Sequence, residues 1–215
     1  MTQWLTHNKV ELALHELGAG EGRALLLLHG LAERSPLVLP AELESWPGPV
    51  HALDFTGHGD SNVPAGGGYS AELLMADADT ALRALGSATL LGRGLGAYVA
   101  LLVAGARAET VRGAILCDGT GLAGGGEEPS STRIIAPPRG GKGAPDPFAL
   151  AELAADVRPA DYAISYVHQA NELSGLASPL CVCARQRPPW LRAVAAEPGV
   201  ADIPLAEALA RYAAL

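Results

Sequence analysis

The chain has 215 residues, of which 49% are hydrophobic and 18% are charged, a composition typical of one globular domain rather than of a disordered chain. Its formal net charge of −8 argues against nucleic acid and anionic membrane surfaces as partners, because both repel an acidic protein. The longest apolar stretches fall short of the roughly 20 residues that a membrane-spanning helix requires. With no signal peptide recognisable at the N-terminus, these features predict a cytoplasmic protein and leave the oligomeric state open.

Strand-like and helix-like segments alternate along the chain. Apolar runs predict strands at residues 11–17, 24–28, 50–55, 88–91, 113–117 and 180–184. Helical spacing of apolar residues predicts helices at 71–85 and 95–106, within 148–173, and at 205–215. This alternation predicts an α/β fold, a three-layer sandwich with a mostly parallel central sheet and helices on both faces.

The pattern breaks between residues 119 and 147. Glycines at 124–126 and 140–141 and prolines at 137–138 predict a long irregular segment there. We therefore predict a single domain over residues 1–215, with a mobile lid or loop region at about 119–175 inserted before the last strands. Whether 119–147 is ordered stays open at this point.

The chain has three cysteines, Cys117, Cys181 and Cys183. This odd number gives no disulfide framework, and a metal site would need more ligands than the sequence offers near them. Cys181 and Cys183 share one face of a predicted strand. The three are expected to be reduced core cysteines, and neither a metal nor an organic cofactor is expected.

Three motifs follow one another in the first half of the chain. Residues 28–31 (Leu-His-Gly-Leu) end a predicted strand, residues 54–61 form an Asp-x-x-Gly-x-Gly-x-Ser turn, and residues 92–96 (Gly-Arg-Gly-Leu-Gly) join a strand to a helix. In this order they resemble the α/β-hydrolase superfamily, whose nucleophile elbow reads Gly-x-Ser-x-Gly. The resemblance implies an oxyanion hole, a pair of converging backbone N–H donors, at Leu31 and Leu95.

All three positions of the catalytic triad that the resemblance implies are replaced. Gly94 stands where the nucleophile belongs, so this position carries no reactive side chain. The strand before the expected acid runs into a turn that places Arg187 there, and the late turn at 198–204 places Asp202 at the histidine position. An aspartate with an ordinary pKa near ~4 is a poor substitute for imidazole as a general base. A family label would be hydrolase, but classical serine-hydrolase activity is not expected.

Three other residues are candidates for residual chemistry, His29, His58 and Asp118. Each also has a structural interpretation, in a turn for the two histidines and at a strand end for the aspartate. If the oxyanion hole persists beside the space that glycine leaves at the elbow, a small ligand could bind there. The candidate ligand-binding residues are Gly30, Leu31, Arg93, Gly94 and Leu95.

Three functional hypotheses remain open from the sequence. The first is a non-hydrolytic protein that binds a small molecule or a protein partner in the old active-site cleft. The second is a hydrolase or lyase of non-triad mechanism that uses His29, His58 or Asp118 with the oxyanion-hole amides. The third is a dinucleotide-binding protein, because residues 92–97 also satisfy the fingerprint G-x-G-x-x-A.

Overall fold

The computed structural model describes residues 1–123, 144–155 and 158–215. The strands are β1 (Thr2–His7), β2 (Val10–Gly18), β3 (Ala24–Leu28), β4 (Val50–Leu53), β5 (Ala88–Arg93), β6 (Val111–Cys117), β7 (Leu180–Val182) and β8 (Val200–Asp202). The helices are α1 (Ala71–Leu85), α2 (Leu95–Ala106), α3 (Pro147–Glu152), α4 (Ala160–Leu173), α5 (Pro189–Ala195) and α6 (Leu205–Ala213). A single 3-10 turn lies at Ala41–Leu43. Among the described helices none is long and apolar enough to cross a membrane.

One eight-stranded sheet forms the centre of the molecule, in the order β1-β2-β4-β3-β5-β6-β7-β8. The pairs β1–β2 and β2–β4 are antiparallel, and the remaining pairs are parallel. Parallel strands end at the same edge, so the register brings Leu28, Leu53 and Gly92 level with one another. The mostly parallel sheet predicted from the sequence is confirmed. All three sequence motifs begin at its carboxyl edge.

Helices cover the two faces of the sheet unequally. On the first face α1, α2, α4 and α5 pack against alternate strand residues such as Leu26 and Leu28. On the second face Leu25 and Leu27 pack against α6 and the segment around the 3-10 turn. The three-layer architecture predicted from the sequence is therefore present, with the second helical layer much thinner than the first.

The thin layer has a local cause in the crossover between β3 and β4. Neighbouring parallel strands are usually joined by a helix that covers the sheet. Residues 29–49 instead contain only the 3-10 turn, together with prolines at 36, 40, 47 and 49. A cavity of about 290 Å³ remains between this segment and the carboxyl edge of the sheet. We call it the edge cavity.

The helices predicted within 148–173 are α3 and α4, and α4 buries Ala163 and Val167 in the first-face core. Helix α4, which lies in the expected lid region, is therefore part of the helical layer on the first face of the sheet. The glycine-rich and proline-rich part of the expected lid, from 124 to 143, lies outside the described residues.

Candidate functional site

Gly94 occupies the turn between β5 and α2 with φ 51° and ψ −112°. This is a conformation that residues with a side chain adopt only under strain of about 1–3 kcal/mol. The space around it is also closed, because a Cβ at this position would overlap the backbone of Gly119 and Thr120. The elbow geometry is therefore kept, but this fold leaves no room for a nucleophilic side chain.

The two backbone amides that the resemblance assigns to the oxyanion hole converge on one oxygen atom. Leu31 N–H and Leu95 N–H both donate to the carbonyl oxygen of Thr120, at 3.0 and 2.8 Å. The hydroxyl of Thr120 in turn donates to the carbonyl oxygen of Leu31 at 2.5 Å. The notch expected to be open is thus filled by the chain's own backbone, and an external ligand at these amides would have to displace Thr120.

His29 is buried at the end of β3, and both of its ring nitrogens contact the backbone. Nδ1 lies 2.7 Å from the carbonyl oxygen of Gly30, and Nε2 accepts a hydrogen bond from the N–H of Phe55 at 3.1 Å. These two partners require the neutral tautomer with its proton on Nδ1. Burial, together with the neighbouring His58, lowers the pKa of His29 to about 4. The arrangement matches the structural interpretation of this histidine.

His58 lies fully buried beside His29, with their ring centroids 5.1 Å apart. Its Nδ1 is 3.1 Å from the carbonyl oxygen of Thr56, and its Nε2 has no hydrogen-bond partner among the described residues. Burial lowers the pKa of this imidazole as well. The two rings are therefore neutral and buried. Among the described residues, neither ring makes a hydrogen bond to a titratable side chain.

Asp118 bonds to a different part of the chain. Its carboxylate accepts the backbone N–H groups of Arg185 and Gln186, at 2.9 and 2.7 Å. These bonds tie the end of β6 to the segment after β7. His29 and His58 thus both bond to the backbone at residues 55–56, whereas Asp118 bonds to the segment after β7 and makes no hydrogen bond or ion pair with either histidine.

The positions assigned to the acid and the histidine of a triad contact each other. Arg187 forms a two-pronged ion pair with Asp202, with N–O distances of 2.8 and 2.6 Å. Hydrogen bonding to Arg187 lowers the pKa of Asp202 below its ordinary value. A guanidinium–carboxylate ion pair therefore joins the segment after β7 to β8.

The edge cavity combines an apolar floor with a polar rim. Its floor includes the side chains Leu27, Leu43, Ala52, Leu91 and Leu205. At its rim the guanidinium of Arg93 lies 3.6 Å from the carboxylate of Glu33, which also accepts the N–H of Gly30 at 3.1 Å. Sequence analysis named Arg93 but missed Glu33, and only the absence of a helical pattern at 32–49 could have pointed to the cavity.

Cys117 lies in the wall of the edge cavity. It and Cys183 are half-buried, whereas Cys181 is fully buried against the hydroxyl of Tyr212. All three carry free thiols. The expectation of core cysteines is thus correct for Cys181 and correct in part for the other two, which pack against the second-face core but lie half-buried at the carboxyl edge.

A cluster of His15, Asp54 and Asp60 brings one possible ligand atom from each residue within 4.8 Å of the others. The Asp54 carboxylate already accepts hydrogen bonds from the N–H of Ser35 and the N–H of Asp60, and it contacts His15 at 3.1 Å. Asp60 also pairs with Arg34 at 2.9 Å. We therefore assign this cluster to fixing the turn that the sequence motif at 54–61 forms.

The dinucleotide fingerprint at 92–97 follows the fifth strand of the sheet. Its pyrophosphate site would need free amides at the helix N-terminus. Here Gly94 N–H donates to the carbonyl oxygen of Cys117, and Leu95 N–H donates to Thr120. These contacts leave the dinucleotide hypothesis without support from the geometry.

Comparisons with known proteins agree with this topology. The model of a family described as the alpha/beta hydrolase family matches residues 25–215. No curated protein matches the chain. Among solved structures, the thioesterase domain from the curacin biosynthetic pathway is 18% identical, with a TM-score of 0.68 and coverage of 100% of this chain and 98% of that one.

Two further structures match over part of the chain. The epoxide hydrolase VrEH1 from Vigna radiata is 24% identical with a TM-score of 0.48, over 55% of this chain and 38% of that one. Est1E from Butyrivibrio proteoclasticus, solved with ferulic acid bound, is 11% identical with a TM-score of 0.47, over 54% of this chain and 51% of that one. The chain therefore spans little more than a third of the epoxide hydrolase and about half of Est1E.

The structural likeness to the thioesterase domain concerns the fold. The family model covers nearly the whole chain and includes all three motifs on which the sequence resemblance depends. The fold class predicted from those motifs is confirmed. The chain belongs to the alpha/beta hydrolase family.

Proposed function

We propose that this protein is a non-hydrolytic member of the alpha/beta hydrolase family that binds a small molecule beside the former elbow. The observation that carries the proposal is the Thr120 carbonyl oxygen, which accepts the amides of Leu31 and Leu95. In a hydrolase these donors must be free to stabilise a developing oxyanion. Together with Gly94 at the elbow, their occupation argues against acyl transfer at this position.

The alternative, a non-triad hydrolase or lyase, has weaker support. It needs at least two titratable groups within reach of one reacting atom. His29 uses both ring nitrogens on the backbone, and Asp118 accepts two backbone amides. An enzyme built on His29 or Asp118 would have to break bonds that the fold uses, and the unpartnered Nε2 of His58 is fully buried, so we place the binding hypothesis first.

The edge cavity is the proposed binding site, and its chemistry limits the ligand. Its volume of about 290 Å³ lies just below the usual range for ligand pockets, about 300–1,000 Å³. The apolar floor favours a compact molecule with an apolar body, and the Glu33–Arg93 pair, with Arg34, Ser35 and Glu42 also in the lining, favours ionic or hydrogen-bonding groups at one end of it. The acidic net charge disfavours nucleic acid and anionic membranes as partners, and we propose a cytoplasmic location.

Hydrolysis of p-nitrophenyl acetate and of a short acyl thioester tests the non-hydrolytic part of the proposal. The wild-type protein is expected to give no rate above buffer, and the same is expected of His29→Ala, His58→Ala and Asp118→Asn. A clear wild-type rate that one of these substitutions abolishes would overturn the proposal and establish the alternative enzyme.

Methyl NMR spectra with hexanoate and hexanol as probes test the binding part. We expect chemical-shift changes for Leu27, Leu43 and Leu91, whose side chains line the edge cavity. Ala52→Leu, which fills the floor, should abolish these changes, whereas Ala210→Leu on the exposed side of α6 should keep them. Shifts that survive filling of the cavity, or no shifts with either probe, would contradict binding at this site.

A further inference from the structure

Two cysteines face each other across neighbouring strands at the carboxyl edge. The β6–β7 register pairs Leu116 with Val182, and the N–H of Cys183 continues the ladder to the carbonyl oxygen of Leu116 at 2.8 Å. Cys117 and Cys183 are the next pair, and both side chains pack on the second face of the sheet. Neighbouring strands lie about 4.8 Å apart. Disulfides form at Cα separations of about 4.4–6.8 Å, so the spacing of neighbouring strands lies within the range for a disulfide.

The two thiols differ in access and in charge environment. Cys117 lies in the wall of the edge cavity, which small molecules can reach, and Arg93 occupies the opposite position on β5. A hydrogen bond from the Cys183 thiol and the Arg93 guanidinium lower the pKa of Cys117. Because the Cys183 thiol donates this hydrogen bond, its own pKa is raised. Cys117 is therefore the more acidic thiol of the pair.

We propose that Cys117 and Cys183 form a redox-active dithiol that hydrogen peroxide oxidises to a disulfide at the mouth of the edge cavity. The Cys117 thiolate attacks one peroxide oxygen, so that an S–O bond forms, the O–O bond breaks and the departing oxygen leaves as water after taking a proton. The Cys183 sulfur then attacks the Cys117 sulfur. The S–S bond forms, the S–O bond breaks, and the departing hydroxide takes the Cys183 proton as a second water. The cysteines lose two electrons and the peroxide gains them.

Cys181 provides an internal control for this pair. It lies on the same face of β7, two residues before Cys183, but the register pairs it with Ile115 rather than with a cysteine. It is fully buried, and its sulfur contacts the hydroxyl of Tyr212 at 3.2 Å. Burial raises the pKa of the Cys181 thiol, so it lacks both the access and the charge of Cys117. This inference does not depend on the identity of any ligand of the edge cavity.

Peptide mapping of the wild-type chain after hydrogen peroxide treatment tests the proposal. We expect one intramolecular disulfide between Cys117 and Cys183, reversed by dithiothreitol, in wild type and in Cys181→Ser alike. Cys183→Ser should stop at the first step, so that dimedone labels Cys117, while Cys117→Ser should give neither label nor disulfide. The mapping on wild type does not depend on the variants folding. A disulfide through Cys181, no disulfide at all, or absence of dimedone labelling in a folded Cys183→Ser protein would overturn the proposal.

Discussion

At the scale of single residues, the turn at position 94 is shaped by backbone atoms. Gly94 keeps the sharp strand-to-helix turn, and the Thr120 carbonyl oxygen satisfies the amides of Leu31 and Leu95. Buried backbone N–H groups need an acceptor, and leaving one unpaired costs about 1–3 kcal/mol. The Thr120 carbonyl oxygen therefore stabilises the fold at this point. We expect the same segment to disfavour any side chain added at position 94.

Gly94→Ala and Gly94→Ser test this reasoning directly. Each adds a Cβ that would overlap Gly119 and Thr120, on top of about 1–3 kcal/mol of backbone strain. Both variants should unfold at lower urea concentration than wild type, and Gly94→Ser should hydrolyse no p-nitrophenyl ester. Gly86→Ala is the matched control, since Gly86 also has a positive φ of 81° but a Cβ there meets nothing within 4 Å. Equal losses in Gly94→Ala and Gly86→Ala would mean that the Thr120 segment does not close on the elbow.

The sequence was informative about the elbow only in part. That position 94 carries no side chain can be read from one letter, since the residue is glycine. The bonds from the amides of Leu31 and Leu95 to Thr120 depend on where a loop after β6 lies relative to β3 and α2. No local pattern encodes that relation, because it arises from contacts between residues 89 positions apart. The roles of His29 and His58 were likewise open until their backbone partners were known.

At the scale of elements, the buried apolar strands, including the short β7, and most of the helices were predictable, whereas the exposed strands β1 and β8 and the short helix α5 were not. The predicted bounds of α1 and α2 match the structure, because Ser70 caps α1 and Gly86 ends it. In contrast, β1 is an edge strand with no fully buried residue, and β8 has only three residues, none of them buried. Such strands are held by backbone hydrogen bonds to a neighbouring strand. Their side chains therefore show little of the apolar–polar alternation from which a strand is predicted.

The connection between β6 and β7 gives a prediction at this scale. The Asp118 carboxylate accepts two backbone N–H groups from the segment after β7. Asp118→Ala should lower the free energy of unfolding by about 1 kcal/mol or more, because hydrogen bonds to a charged group are lost. Asp118→Asn should lose less, since its amide oxygen still accepts. Urea unfolding measures both, with Glu109→Ala as an exposed acidic control.

If Asp118→Ala unfolded at the wild-type urea concentration, the carboxylate would be free of a structural role. Asp118 would then return to consideration as a functional acid near the edge cavity. A loss in Asp118→Ala that exceeds the loss in Asp118→Asn, with Glu109→Ala unchanged, supports the structural assignment.

At the scale of the whole molecule, the buried pair of histidines connects the fold to pH. His29 has a pKa of about 4 in the folded protein, against about 6.5 in an unfolded chain. Above pH 6.5 the ring is neutral in both states and the stability is fully present. As the pH falls from about 6.5 towards 4, the unfolded chain takes up a proton that the folded protein does not, so stability is lost. The lowered pKa values of His58 and His51 act in the same direction.

Urea unfolding at pH 7 and pH 5 measures this loss. For wild type we expect a decrease of order 1–2 kcal/mol between the two pH values from His29 alone. His29→Ala should be less stable than wild type at pH 7, because it loses two hydrogen bonds, yet it should show a smaller decrease towards pH 5. His168→Ala, which removes an exposed histidine, should keep the wild-type decrease. A His29→Ala protein with the full wild-type pH dependence would mean that the fold does not hold this imidazole neutral. The argument against His29 as a general base would then fail as well.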